Sequence, residues 1–182
     1  MKTVQQLIDL LKTNVDEFNL HREKADYKKL DLSYIDLSGC DLSYANFTRC
    51  ELTGIDLSNT DLSGAIFSNC DFSSAHMSNC NMHRTICEQA DMSGGNFQKS
   101  DLSYTRFNYS NLSFANFSES NLSEVDFSFA ELFEADFSKC EMNNVNFLNS
   151  ELRGAKVDKS HAETILSSLG IQLNKEEKNE NN

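Results

Sequence analysis

From Leu32 to Val157 every fifth residue is apolar, with no insertion or deletion, through 26 consecutive repeats. These central positions are 11 Leu, 9 Phe, 4 Met, Cys87 and Val157. Neither a helix of period 3.6 nor a flat strand of period 2 can use that spacing. The flanking positions repeat as well. Two residues before the centre the side chain is uncharged in all 26 repeats, and in 21 it is Ala, Cys, Ser, Thr or Gly. The residue before the centre is Asp, Asn or Glu in 21 repeats, and the residue after it is Ser or Thr in 17. Residues i−2 and i share one face of a short extended segment, so both turn inward. Asp, Asn and Ser bond nearby backbone and favour turns. The pattern predicts that each pentapeptide is one side of a coil, with a corner every five residues.

The phenylalanines count the sides. Phe47, Phe67, Phe107, Phe127 and Phe147 fall in one column at a spacing of 20, broken at Cys87. Phe97, Phe117 and Phe137 form a second column, and leucines such as Leu102, Leu122, Leu112 and Leu132 fill the other two. A period of 20 means four sides per coil, with like residues stacked on like. Leu32 opens the core, and at ~4.8 Å per coil the rod is roughly 30 Å long. Met77, Met82, Cys87 and Met92 are the four centres of one coil, which should pack most loosely because thioethers are flexible filler.

The segments ANFSE (115–119) and ADFSK (135–139) resemble the A(D/N)LXX pattern of the pentapeptide-repeat proteins. The resemblance covers about 127 of the 182 residues. It implies an all-β fold, a right-handed quadrilateral β-helix, and the handedness comes from the resemblance alone.

Open backbone edges at the two ends of such a coil need caps. Residues 1–29 are expected to form a helical N-terminal cap, and 30–157 the β-helix. Thr3 with Gln6 reads as a capping box, and Val4, Leu7, Ile8 and Leu11 make a helical stripe. Phe18 and Leu20 are expected to plug the first coil. In 158–173, Ala162, Ile165, Leu166 and Leu169 make another stripe, with Gly170 as its C-cap. Residues 174–182 are expected to be disordered. The stretch AKVDKSHAETILSSLGIQL resembles the end of the quinolone-resistance branch, where it serves as a dimer contact. Ala162, Ile165, Leu166, Leu169 and Ile171 are therefore candidate homodimer residues, with a simple lid as the alternative.

Composition narrows the functional classes. The chain is 39% apolar, lacks Pro and Trp, and carries a formal charge of −12. Its N-terminal apolar run is short and interrupted by Asp9, unlike a signal peptide. No stretch approaches a membrane span. A bacterial, cytoplasmic protein with reduced thiols is expected. His76, Cys80, His83 and Cys87 have zinc-like spacing, but the repeat turns the two histidines outward and the two cysteines inward on different sides. A soft-metal site at the methionine coil and a Cys50–Cys70 disulfide are the weaker readings beside buried packing; Cys40 and Cys80 lie two coils apart. No catalytic constellation is evident, and no cofactor or enzymatic activity is expected.

The surface carries the remaining signal. Residues 31–157 hold 18 acidic and 7 basic side chains. Asp31, Glu51, Asp71, Asp91, Glu131 and Glu151 align along one side, interrupted at Asn111, and Asp41, Asp61, Asp101 and Glu141 along the opposite side. Neighbouring carboxylates ~5 Å apart repel by about 0.8 kcal/mol in water, so such columns invite a functional reason. A rod of regular negative charge can imitate the phosphates of duplex DNA. The resemblance to the quinolone-resistance branch implies such a DNA mimic, occupying the DNA-binding saddle of DNA gyrase or topoisomerase IV, with no direct nucleic-acid binding. Turn chemistry and solubility explain the same acids without a partner. Against mimicry, the first ~30 residues resemble a different bacterial subgroup, the loops of several resistance proteins are missing, and Arg106 and Lys156 replace acids. The alternative is a scaffold or adaptor that binds another protein through exposed aromatics: Tyr109 and Phe129 in one column, Phe114 and Phe133 around the adjacent corner.

Overall fold

The computed structural model describes residues 2–169. The repeat closes into a continuous parallel coil with a register of 20. Strand β1 (Leu30–Asp31) pairs in parallel with β2 (Cys50–Glu51), Leu30 opposite Cys50. Beyond these, each side pairs with the coil above at one residue, from Asp36 with Asp56 to Asp136 with Lys156. Four such pairings per 20 residues make four sides. Side one carries centres Leu32, Leu52, Phe72 and onward; sides two, three and four begin at Leu37, Leu42 and Phe47.

One repeat shows why five residues suffice. The Asp56 N–H donates to Ile35 O of the coil below at 3.0 Å, and Leu57 and Asn59 N–H donate to His76 O and Ser78 O of the coil above at 2.8 and 3.0 Å. Thr60 N–H closes the corner onto Leu57 O at 3.2 Å. The remaining N–H, on Ser58, donates to the Asp56 carboxylate at 2.9 Å. The Asp or Asn before each centre therefore fills a vacancy in the backbone ladder. The corner residue is left-handed: every fifth residue from Tyr34 to Gly154 has φ between 54° and 77°. Apart from the two-residue pairing of β1 with β2, each ladder is one residue long because this corner recurs so soon.

All centres from Leu32 to Phe147 are buried. Phe47 stacks on Phe67 at 4.9 Å, Phe107 on Phe127 at 5.3 Å and Phe127 on Phe147 at 5.4 Å. Phe97, Phe117 and Phe137 form the second stack, and the two stacks meet edge to face, as at Phe127 and Phe137. Ring contacts stop at Phe67–Phe72 and resume at Phe97. The coil between is filled by Met77, Met82, Cys87 and Met92, all fully buried. The last centres depart from expectation. Leu152 is half-buried and Val157 is 38% exposed, because the final half-coil has no complete coil above it.

The i−2 side chains do more than fill space. Thr60 Oγ1 donates to Leu37 O at 3.1 Å, Thr105 Oγ1 to Met82 O at 2.7 Å, and Ser120 Oγ to Phe97 O at 2.7 Å. Small polar residues here satisfy the corner carbonyl of the coil below.

At the N-terminus, α1 (Val4–Thr13) starts with the expected capping box: Gln6 N–H to Thr3 Oγ1 at 3.2 Å and Thr3 N–H to Gln6 Oε1 at 2.9 Å. Leu7 and Leu11 are buried, whereas Val4 is exposed. Helix α2 (Val15–Lys24) lays Phe18 beneath Phe47, centroids 5.7 Å apart, continuing that stack where the coil ends. Leu20 does not plug the coil. It is 47% exposed, because two residues along a helix turn it away from the face shared by Phe18 and Arg22. At the other end a 3₁₀ turn (Lys159–His161) leads into α3 (Ala162–Ser168). Ile165 is buried and Leu169 packs against the core, so α3 covers the last coil. Gly170, Ile171 and the 174–182 tail lie outside the described residues.

The turn role of the acid has a direct test at Asp36, which accepts the Ser38 hydroxyl at 2.6 Å and its N–H at 2.9 Å. Asn46 accepts both groups from Thr48 in the same way. In urea unfolding, Asp36→Asn should leave the midpoint nearly unchanged, whereas Asp36→Ala should lower it. The Ser38 bonds also hold the Asp36 carboxyl below its ordinary range, as Ser33 does for Asp31 and Ser138 for Asp136. A depressed folded pKa means stability present above the unfolded value and lost as pH falls through the folded one. Melting temperature should therefore drop below about pH 4, less steeply in Asp36→Asn.

Candidate functional site: the acidic side

The two acid columns lie on opposite sides but differ in how their charge is compensated. On side three the rungs run Asp41, Asp61, Asn81, Asp101, Asn121, Glu141. Asn81 Nδ2 donates to Asp61 and Asn121 Nδ2 to Asp101, each at 3.1 Å. Alternating amides thus bind the acids beneath them. On side one Asp31, Glu51, Asp71 and Asp91 stack on four consecutive rungs. Asn111 donates to Asp91 at 3.3 Å, and Glu131 and Glu151 follow. Lys29 pairs with Glu51, and Arg153 with Glu151 at 3.6 Å.

Acid type separates turn chemistry from surface charge. Asp31, Asp71 and Asp91 each accept the N–H two residues on, from Ser33, Ser73 and Ser93, at 2.9–3.0 Å. Glu51, Glu131, Glu141 and Glu151 do not make this bond among the described residues, since the extra methylene carries the carboxylate past the turn. Those four glutamates are not explained by the ladder.

Side one also carries the aromatics. It is bounded by the corner column of Tyr109 and Phe129 and by that of Phe114. Tyr109 and Phe129 stack at 4.8 Å and 7°, while Phe114 and Phe133 meet edge to face at 5.3 Å. Tyr109, Phe114 and Phe129 are 59, 58 and 44% exposed. Glu131 lies between Phe129 and Phe133 on the same side, and the Arg153 guanidinium sits 4.9 Å over the Phe133 ring. A groove of about 390 Å³ follows the corner nearer the N-terminus, lined in part by Arg49, Glu51, Asp71 and Asp91. The sequence pattern separates acids and aromatics into two features; the coil brings both to one side.

The replacing bases are paired: Arg106 with Glu88 at 3.2 Å and Lys156 with Asp136 at 3.5 Å. The zinc-like set does not converge. Cys80 Sγ faces Leu57 O at 2.9 Å, His83 Nδ1 meets Ser103 Oγ at 2.8 Å, Cys87 is fully buried on another side, and His76 sits in the outward ladder of side two. Of the candidate dimer residues, Ile165 and Leu169 are turned to the core, while Ala162 and Leu166 are half-buried. Among the described residues no helix is long and apolar enough to cross a membrane.

Comparison with known proteins adds the family. A model described as "Pentapeptide repeat region" matches residues 80–157, and one described as "Pentapeptide repeats (8 copies)" matches 29–59 and 50–86. No curated protein matches the sequence. Among solved structures, the chain is similar to a pentapeptide repeat protein of the Arabidopsis thaliana thylakoid lumen. Identity is 24% over 55% of this chain and 66% of that one, with a TM-score of 0.43. QnrB1, a plasmid-mediated fluoroquinolone resistance protein, is 19% identical over 80% of this chain and 94% of its own, with a TM-score of 0.32. HetL, involved in heterocyst differentiation regulation in the cyanobacterium Nostoc, is 17% identical over 77% and 95%, with a TM-score of 0.26.

All six cysteines are free. Burial pushes the Cys50 thiol up to about 12, and Cys80 and Cys140 to about 11; Cys70 and Cys87 rise as well. Cys70 Sγ faces Phe47 O at 3.0 Å, as a small donor in the i−2 position. Thiolate is the reactive form, so these groups should be inert. Titration of the native protein with a thiol reagent at pH 8 should modify Cys40, which is half-buried, and leave the other five until denaturant is added. Rapid modification of Cys50 or Cys70 would contradict the packing.

Proposed function

The chain belongs to the pentapeptide-repeat family, and from that premise we propose that it is a non-enzymatic binding protein that docks side one of a right-handed coil onto a cationic protein surface built to hold duplex DNA. The observation that carries this reading is the run of Asp31, Glu51, Asp71 and Asp91 on consecutive rungs, extended by Glu131 and Glu151. Side three, where Asp61 and Asp101 accept ladder amides and the acids alternate with asparagines, is the weaker candidate. A type II topoisomerase is the partner class to test first, because the C-terminal stretch resembles the quinolone-resistance branch. Regular carboxylates on a stiff support would meet lysines and arginines otherwise neutralised by phosphate, with little ordering cost.

A second reading has its own observation. The stacked Tyr109–Phe129 pair and the Phe114–Phe133 pair are apolar surface of the kind that anchors protein interfaces. A scaffold or adaptor would use these rings and depend little on salt.

DNA supercoiling by gyrase, measured with increasing protein at two salt concentrations and with and without a quinolone, separates the two. Mimicry predicts inhibition or drug protection near stoichiometric amounts, weakened roughly tenfold between 50 and 200 mM salt. Asp71→Asn with Asp91→Asn keeps both turn acceptors and should reduce the effect several-fold. No effect at large excess of folded protein would reject the topoisomerase reading. Loss of partner binding in Phe129→Ser or Phe133→Ser, with salt and Asn variants neutral, would favour the scaffold.

A further inference from the structure

We infer that the cleft between the N-terminal helices and the first coil binds a small organic anion, a carboxylate carried on an apolar body. The cleft has a volume of about 540 Å³, within the usual range of small-molecule sites. Leu7, Ala25 and Leu30 give it an apolar lining, and Arg22, Lys24 and Lys28 supply positive charge. No Asp or Glu lines it among the described residues. Two further lysines are partly neutralised at its edge: Lys2 pairs with Glu17 at 3.2 Å, and Lys29 pairs with Glu51.

Arg22 is the distinctive group. It is 3% exposed, yet its Nε has no hydrogen-bond partner. Both other nitrogens are committed: Nη1 donates to Lys28 O and Nη2 to Thr48 O, each at 2.6 Å. The guanidinium is thus held at both Nη atoms with its buried Nε unpartnered, a nitrogen that a carboxylate oxygen would satisfy. Asp26 and Tyr27, both left-handed at φ 54° and 47°, reverse the chain after α2, so Lys24 and Lys28 line the same cleft from either side of the turn.

Charge over the whole molecule selects the ligand class. Residues 1–30 hold 6 basic and 5 acidic side chains, against 7 and 18 in 31–157. A polyanion would be repelled by the adjacent rod, whereas a monoanion short enough to stay within the cap meets mainly the lysines. The apolar lining favours a hydrocarbon or aromatic body over bare phosphate. A bound carboxylate would link α2 to the turn at Lys28 and, through Arg22, to Thr48 of the first coil, and so brace the cap.

Calorimetric titration of the full chain with octanoate, octanol and acetate tests this, with melting temperature as the second readout. The expected result is one octanoate site with a Kd of about 0.1–1 mM, a raised melting temperature, and much weaker responses to octanol and acetate. Lys24→Gln with Lys28→Gln, both exposed residues, should leave the unliganded melting temperature unchanged and weaken octanoate at least roughly tenfold. Absence of octanoate binding, equal binding of octanol, or undiminished binding by the double variant would each overturn the inference.

Discussion

The fold depends on a single constraint: a backbone that turns every five residues must still pair its polar groups. In a typical interior repeat, such as that of Leu57, two N–H groups reach the coil above, one reaches the coil below, and one closes the corner. The fifth has no backbone partner, and where the residue before the centre is Asp or Asn its side chain supplies one. That is why Asp and Asn dominate a position that faces solvent, and why the ladder survives with almost no extended strand. The core is secondary in this sense. Phe, Leu and Met interchange at the centres because each sits in a stack whose spacing the ladder has already set.

The same constraint decides how surface charge should be read. An aspartate in the ladder serves the turn first, and an asparagine would serve it equally. Charge that exceeds this need is visible where glutamate replaces aspartate, and where acids follow one another without an intervening amide. Side one has more of both, with three glutamates and four acids in succession, against Glu141 and the Asp41–Asp61 pair on side three. On side three asparagines donate to the acids beneath them, converting repulsion into hydrogen bonds. The aromatic pairs lie along side one near its C-terminal end, with Tyr109, Phe114 and Phe129 exposed and Phe133 half-buried, so one side combines a charged stretch with apolar surface.

The ends are closed by side chains that imitate a missing coil. Phe18 continues the Phe47 stack. Asn19 takes the Asn46 N–H at 2.8 Å and donates to Tyr44 O at 2.9 Å, and Arg22 donates to Thr48 O. At the opposite edge Asp158 accepts the Lys139 N–H at 2.6 Å, and Ile165 and Leu169 cover the core. Helices can do this because they need no free edge of their own. Their cost is a buried arginine with one unsatisfied nitrogen, which lies at the cleft beside the cap.

The period of five, the four-sided register and the burial of the centres from Leu32 to Phe147 were all legible in the sequence, because a strict repeat leaves only one way to stack like on like. The capping box at Thr3 and Gln6 was legible for the same kind of reason: it is a local bond between residues three apart. Tertiary structure decided what depends on neighbours in other coils or on the cap. Leu20 follows helix geometry and turns outward; Val157 lacks a coil above it; Cys70 and Cys80 are donors to carbonyls 23 residues away. The inequality of the two acid columns was also hidden, since it rests on amides donating across 20 residues. The meeting of acids and aromatics on one side, and of Arg22, Lys24 and Lys28 around one cleft, arises from corners and reversals that composition does not record.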